Sequence, residues 1–535
     1  MDFRKKIEAA QIGSMIPVYK EVDIDSNCPV ELFAKLSDYG RQENSILLES
    51  ADIMKRFGEK SLGSANPCLL VKGKGAEFSI TALNKTGERF LGFIKDNFGF
   101  CDSIDFTGKE LSGKLVSTKK TVSEEEHLKL KTHADILRTI AFAFTPTEKP
   151  FVPYSGLFGA ISYDFIDQFE QLPASKADPL EDPDYEMVFL DNLFLADHEK
   201  GKIFFIANAL KTEENSEKLY SDCIKTIEDY EAKLNAELPS RPMPKPSKLK
   251  ISSDTSQEEF EEIVSKMKQH IVDGDVFQAV PSRTTIVKYS CSELDIYREL
   301  RRLNPSPYMF FFRNTGGVLL GSSPETFLKV EGDKEKTIEI RPIAGTRPRG
   351  IVDGKIDNSL DEKMEEELRN DTKELAEHTM LVDLARNDVA RVSIPGSRKV
   401  DKPHFVERYS HVMHLVSSVT GTLKPELDAL HAYLASMNMG TLTGAPKIKA
   451  MELIRKYENT ARGFYGGSVG YLTPSDDFDS CIVIRSMRLK GNKAYIRAGA
   501  GIVYDSIPEK EFIETENKAK APLAALEKAQ EAGSK

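Results

Sequence analysis

ELAEHTMLVDLARNDVAR, residues 374–391, reads as one helix, with Met380, Leu381, Val382, Leu384 and Ala385 spread around most of its circumference. That pattern predicts a helix packed on all sides. Yet it carries Glu374, Glu377, Asp383, Arg386, Asn387 and Asp388. A lone buried carboxylate takes up a proton rather than staying charged, so these groups should be paired, hold a metal or face a wet cavity. The helix is expected to line a site.

Glu374 and Glu377 are three residues apart, which on a helix puts both side chains on one face, within reach of one cation or ligand. The spacing recurs near the chain's end, where Glu511 and Glu514 are followed by Lys518. Four carboxylates on two helices suit a hard cation such as Mg²⁺, which takes oxygen ligands and completes its shell with water and an anionic group. Taken alone, the second copy reads rather as a solvated helix face, with Glu514 and Lys518 as an ordinary i, i+4 pair.

With 535 residues, two large domains or one composite body are expected. A formal net charge of −11 argues against a nucleic-acid surface and for a small ligand or a protein partner. The six cysteines (28, 68, 101, 223, 291 and 481) include no Cys-x-x-Cys pair, so neither a zinc site nor a disulfide framework is indicated, and a reducing cytoplasm fits. The opening MDFRKKIEAAQIG has no apolar core of a signal segment, and no run reaches the length of a membrane span.

Residues 1–237 mix short strands (SILLES, PCLLV, LFGAISYDF, KIFFIA) with helices such as HLKLKTHADILRTIAFAF. The Pro-rich, basic stretch 238–253 sustains neither helix nor central strand and is read as a linker. Residues 254–535 open on the helix SQEEFEEIVSKMKQHIVDG, and the Ala/Lys/Glu-rich segment after Pro522 is expected to be a frayed helix end.

Several motifs in the second half carry chemistry. Gln278 starts a strand in GDVFQAVPSR. Glu325 follows a Ser-Ser-Pro turn and precedes an apolar strand, a setting that can raise a carboxyl's pKa enough for general-acid work or simply end a turn. Arg341, Arg347 and Arg349 surround the glycine turn of IEIRPIAGTRPRG and are candidates to grip a carboxylate. His411 and His414 fall on different faces of SHVMHLVSSVTG, His414 between Met413 and Leu415. GTLTGAPKIKAMELI, residues 440–454, feeds a helix N-terminus able to face an anion. Tyr465 precedes two glycines, Arg485 ends the strand CIVIR, and Gly499 and Gly501 interrupt a strand pattern, where glycine marks close approach of backbone to a ligand.

Together these motifs resemble the chorismate-utilising enzymes, and most closely the anthranilate synthase component I family, over nearly the whole chain. The resemblance implies an α/β (α+β) fold in which two orthogonal β-sheets, flanked by helices, enclose a cleft. It implies Mg²⁺ held by Glu377 and Glu514 with Glu374 and Glu511 in support. It implies chorismate contacts from Gly345, Thr346, Thr441, Tyr465, Arg485, Gly499, Ala500, Gly501 and Lys518, and catalytic roles for Glu325, His414, Gln278 and Thr346. In the implied reaction Glu325 protonates the departing C4 hydroxyl, ammonia adds at C2, and loss of pyruvate, with which His414 is associated, yields anthranilate.

Relatives that add water at C2 carry a lysine where this chain has Gln278, and aminodeoxychorismate synthases carry one where it has Ala344; both positions point to anthranilate. LLES, residues 47–50, and NPSPYMFFF, residues 304–312, resemble tryptophan-feedback elements. Glu49 or Ser50 would meet the amino acid's ammonium, and Pro307, Tyr308 and Met309 would wall its indole. No cysteine sits in a Gly-x-Cys-x-Gly setting, so ammonia is expected from a separate glutamine amidotransferase, component II. The alternatives are an aminodeoxychorismate, isochorismate or salicylate synthase, or a non-catalytic tryptophan-binding subunit.

Overall fold

The computed structural model describes residues 2–23, 28–50, 60–116, 130–241, 249–352, 355–409 and 412–532. Two large sheets dominate, one of 12 and one of 13 strands among these residues. Their strands alternate as a period of two demands. In the strand Tyr308–Asn314, Phe310 and Phe312 enter the core between the sheets, while Phe311 joins the core on the opposite face. Ile46 and Leu47 divide in the same way in the neighbouring strand Ser45–Glu49.

The core between the sheets joins Ile46, Leu62 and Leu193 of the 12-stranded sheet to Leu70, Phe158 and Val188 of the other. The outer face of the 12-stranded sheet is covered by helices that include Ser216–Asn235, Glu293–Leu303 and Pro508–Ala532. That of the 13-stranded sheet lies under Lys85–Ile94, His133–Ala141, Thr372–Val392 and Ala429–Ser436. The result is a helix–sheet–sheet–helix stack.

The stretch 238–253 does not separate two sheets. Ser45–Glu49 pairs with Tyr308–Asn314, and Gly156–Ile161 pairs with Ser468–Leu472, so each sheet runs through both halves of the chain. A linker in sequence can join strands of one hydrogen-bonded layer when the strands' apolar faces are buried together.

Two expectations are corrected. Thr372–Val392 is buried on one stripe only, formed by His378, Leu381, Val382, Ala385, Asp388, Val389 and Val392. Thr379, Asp383, Asn387 and Ala390 are exposed; short alanines and threonines do not require burial, so the helix is amphipathic. The segment after Pro522 is not frayed. Pro508–Ala532 continues through it, burying Ala525, Leu526 and Ala529, and Gln530 Nε2 donates to Ser290 Oγ at 2.7 Å.

Candidate functional site

Two places where the chain passes from one sheet to the other create the site. After Gly317–Ser323 in the 12-stranded sheet, the chain crosses to Thr326–Glu331 in the other. After Phe478–Ile482 it crosses back to Ser486–Lys490. The crossings are tied together, Ile482 N donating to Glu325 O at 3.0 Å and Ser322 N to Arg485 O at 3.2 Å. Glu325 and Arg485 are thus placed side by side by topology. Arg485 lies in the crossing rather than at the end of a strand, and its φ of +50° is a left-handed conformation that a non-glycine residue holds only when its surroundings enforce it.

Glu325 is 3% exposed. Burial pushes its carboxyl up to about 7, against the Thr441 hydroxyl, the Ile343 N–H, Lys518 and Arg485, which all favour the charged form. Thr441 Oγ1 donates to Glu325 Oε1 at 2.7 Å. The Arg485 guanidinium makes no hydrogen bond or ion pair among the described residues; burial draws its pKa down, while Tyr465, Glu514 and Glu325 oppose that shift. A desolvated arginine beside a proton-bearing carboxyl is suited to an anionic ligand.

The glycines open the cleft. A side chain on Gly499 would bring its Cβ within 3.2 Å of Tyr465 Oη, and one on Gly501 would lie 2.7 Å from Gln278 Nε2 and 3.4 Å from Glu377 Oε1. Gly345 has a φ of +77°, and its missing Cβ would stand 3.2 Å from Glu374 Oε2. Ala500 is fully buried between them, its N–H on Pro281 O at 3.1 Å. Lys518 Nζ closes one side, donating to Gly499 O at 2.9 Å and pairing with Glu514 Oε1 at 2.7 Å.

His414, on the strand Val412–Thr422, places Nδ1 3.0 Å from Thr346 Oγ1 and 3.3 Å from the Gly345 carbonyl. A carbonyl only accepts, so Nδ1 carries the hydrogen and Nε2 the lone pair. Burial, with Arg485 adding to it, pulls the ring down to about 4 despite the Gly345 carbonyl, leaving it neutral at physiological pH. His411 lies outside the described residues.

Gln278, 2% exposed, donates from Nε2 to Glu377 Oε1 at 2.9 Å, and its own Oε1 is buried without a partner. Burial raises the Glu377 carboxyl, with Glu374 and Glu514 adding to it; burial likewise raises Glu511, with Glu514 adding to it. The two glutamate pairs therefore lie near enough to act on one another, with Lys518, Lys373 and Arg347 as the cations beside them. Among the described residues no three His, Cys, Asp or Glu side chains close into an ion-holding group. Carboxylate oxygens from two helices, and a glycine clearing space at Glu377, fit a Mg²⁺ ion that draws its remaining ligands from water and an anion.

The arginines expected to grip a carboxylate are engaged by the protein. Arg341 pairs with Glu407, Arg347 with Asp371 at 2.6 Å and Glu374 at 3.2 Å, and Arg349 with Asp361 at 2.7 Å. Nearby acidic residues, distant in sequence or on the next helix, neutralise them first.

The stretches 47–50 and 304–312 are also brought together, Met309 lying opposite Glu49 on adjacent strands. Glu49 is already held by Tyr297 Oη at 2.6 Å and Arg301 Nε at 3.1 Å. Tyr308 Oη donates to Asp479 Oδ1 at 2.9 Å, Pro307 and Met309 are buried, and Ser50 is half-buried.

Sequence reasoning missed the support behind Tyr465. Glu458 accepts hydrogen bonds from Ser282 N, Arg462 Nη2 and Arg497 Nη2 at 2.6–2.8 Å, and both guanidiniums lie within 6 Å of the Tyr465 ring. Only the i, i+4 spacing of Glu458 and Arg462 hints at it.

Fold and cleft define a mixed α/β protein whose two sheet crossings set a buried carboxyl beside a guanidinium that no described residue engages. The family described as chorismate binding enzyme matches residues 97–524, and the chain belongs to that family. It is 42% identical to "Anthranilate synthase component 1" of Buchnera aphidicola subsp. Diuraphis noxia, over 92% of this chain and 94% of that one. To the protein of the same name from Vibrio cholerae serotype O1 it is 41% identical, over 93% and 94%. The solved anthranilate synthase component I of Streptococcus pneumoniae superposes with a TM-score of 0.67 at 31% identity, covering 88% of this chain and 93% of that one.

Proposed function

We propose that the chain is the chorismate-converting component of an anthranilate synthase, making anthranilate and pyruvate from chorismate and ammonia by way of aminodeoxyisochorismate. The observation that carries this reading is the pairing of Glu325, poised near neutrality, with the unengaged Arg485 at the two sheet crossings. It joins the likeness to the component 1 proteins over more than nine-tenths of each chain.

Chorismate binds with its carboxylates toward Arg485, Lys518 and the backbone at Gly499, Ala500 and Gly501, with Tyr465 closing the pocket. Glu325 gives its proton to the C4 oxygen, which departs as water while ammonia bonds to C2 and the ring double bonds shift. Ammonia needs no base to attack, consistent with an amide at Gln278. His414 Nε2, held neutral with its hydrogen on Nδ1, takes the C2 proton; the C3–O bond breaks onto the enolpyruvyl oxygen, the ring becomes aromatic, and the enolate released takes a proton at its methylene carbon to become pyruvate. Mg²⁺, held by Glu377 and Glu514 with Glu374 and Glu511 alongside, would supply positive charge against the ring carboxylate.

Ammonia comes from a separate glutamine amidotransferase subunit. L-Tryptophan is the feedback inhibitor, docking where Ser50 meets Pro307, Tyr308 and Met309; with the Glu49 carboxylate already engaged, the Ser50 hydroxyl is the candidate ammonium contact. The test is incubation of the purified chain with chorismate, Mg²⁺ and an ammonium salt. Fluorescent anthranilate is the expected product; isochorismate, aminodeoxychorismate or no turnover overturns the reading.

A further inference from the structure

Thr441 sits in the four-residue helical turn Gly440–Thr443, 116 residues from Glu325 in sequence. The turn is wedged from several sides. A side chain on Gly440 would put its Cβ 2.7 Å from Leu384 Cδ1, so the turn lies close against the helix Thr372–Val392. Gly444, at φ +120°, would meet the Gln278 carbonyl at 2.1 Å. Arg462 Nη1 donates to Leu442 O at 2.6 Å, Val280 N donates to Thr443 O at 3.1 Å, and Tyr163 Oη lies 3.3 Å from Thr443 Oγ1. A hydroxyl carried on so constrained a turn has little freedom to leave its acceptor.

We propose that Thr441 is the positioning residue of the catalytic acid: its bond to Oε1 fixes the plane of the Glu325 carboxyl and leaves Oε2 to carry and deliver the proton. The inference rests on Glu325 acting as the acid in the proposed reaction, and it gives Thr441 a task other than holding substrate. With Thr441 as donor, Oε1 is the accepting oxygen. The charged groups facing Glu325 are Lys518, from the helix Pro508–Ala532, and Arg485, from the second crossing; both are retained when Thr441 is changed. The Ile343 N–H is backbone and is retained as well.

The consequence has a definite sign. The Thr441 hydroxyl favours the charged form of Glu325, so its loss moves the carboxyl further up from about 7. An acid works protonated, and its contribution falls as pH rises through its pKa. In Thr441→Val the alkaline fall in kcat is therefore displaced to higher pH while the rate below it drops through misorientation. Disturbed packing alone would lower the rate without moving that limb.

The experiment measures kcat and KM for chorismate across the pH range in wild type, Thr441→Val and Thr441→Ser, with ammonium as nitrogen source. Thr441→Val should lose about 10- to 100-fold in kcat, keep KM within about two-fold, and shift the alkaline limb up by about one pH unit. Thr441→Ser should recover both. An unshifted limb, a change in KM alone, or a serine variant no better than valine overturns the proposal. Infrared titration of the Glu325 carboxyl, assigned against Glu325→Gln in chorismate-free protein, reads the same bond without turnover. A wild type that makes no anthranilate removes the proposed function, and the infrared shift still decides whether Thr441 governs Glu325.

Discussion

Gly501→Ala tests the site at its tightest point. The new Cβ would stand 2.7 Å from Gln278 Nε2, and moving that amide about 0.7 Å restores ordinary contact. Gly501 is not in the left-handed region, so alanine meets no backbone penalty and the effect is confined to this approach. The displaced amide is the one that donates to Glu377 Oε1 at 2.9 Å. Losing a hydrogen bond to a charged acceptor costs about 1.5–3 kcal/mol, or roughly 10- to 150-fold in an equilibrium that depends on it. The assay is the initial rate of ammonium-dependent anthranilate formation as Mg²⁺ is varied, with thermal unfolding run beside it. Half-maximal activity should require about ten-fold more Mg²⁺ or beyond, with the fold intact. Gly92→Ala is the reference: on the helix Lys85–Ile94 nothing lies within 4 Å of the added Cβ, and alanine should stabilise by about 1 kcal/mol. A Gly501→Ala enzyme with wild-type Mg²⁺ dependence and kcat/KM would refute the reasoning.

Glu377→Gln should abolish metal-dependent turnover, and near-normal rates would contradict its place as a ligand. Glu458→Leu strands Arg462 and Arg497 in the interior and should destabilise by about 3–5 kcal/mol in urea unfolding. Burial raises the Glu458 carboxyl, but the two guanidiniums outweigh it and hold the group below its ordinary value. Its stabilisation is therefore present above the unfolded-state pKa of about 4.3 and lost as pH falls through the lower folded value, so wild type and variant should converge in acid. The chain contains no tryptophan, so emission from bound L-tryptophan can be read directly against a dark background. Saturable binding with inhibition is expected, and Ser50→Phe should lose both; an inhibited Ser50→Phe enzyme would move the site elsewhere.

Local order was legible in the chain. The three consecutive phenylalanines at 310–312 must split between faces because strand side chains alternate, and they do. The helix starting at Gln257 is announced by a capping box of Ser256 and Glu259. Glu325 at a turn before an apolar strand was visible from its immediate neighbours, whereas Gly499 ends its strand and Gly501 lies beyond it rather than interrupting it. Such features depend on backbone sterics and on side chains a few residues away, which a sequence states outright.

Tertiary structure decided the rest. Whether an arginine grips a ligand depends on which carboxylate reaches it first, and Glu407, Asp371 and Asp361 claimed the three that sequence offered, while Arg485 was left unengaged. The value near 7 at Glu325 comes from water excluded by both sheets together, and the hydroxyl that aims it arrives from 116 residues away. Desolvation and long-range pairing are sums over the packed chain, so no local window of residues contains them.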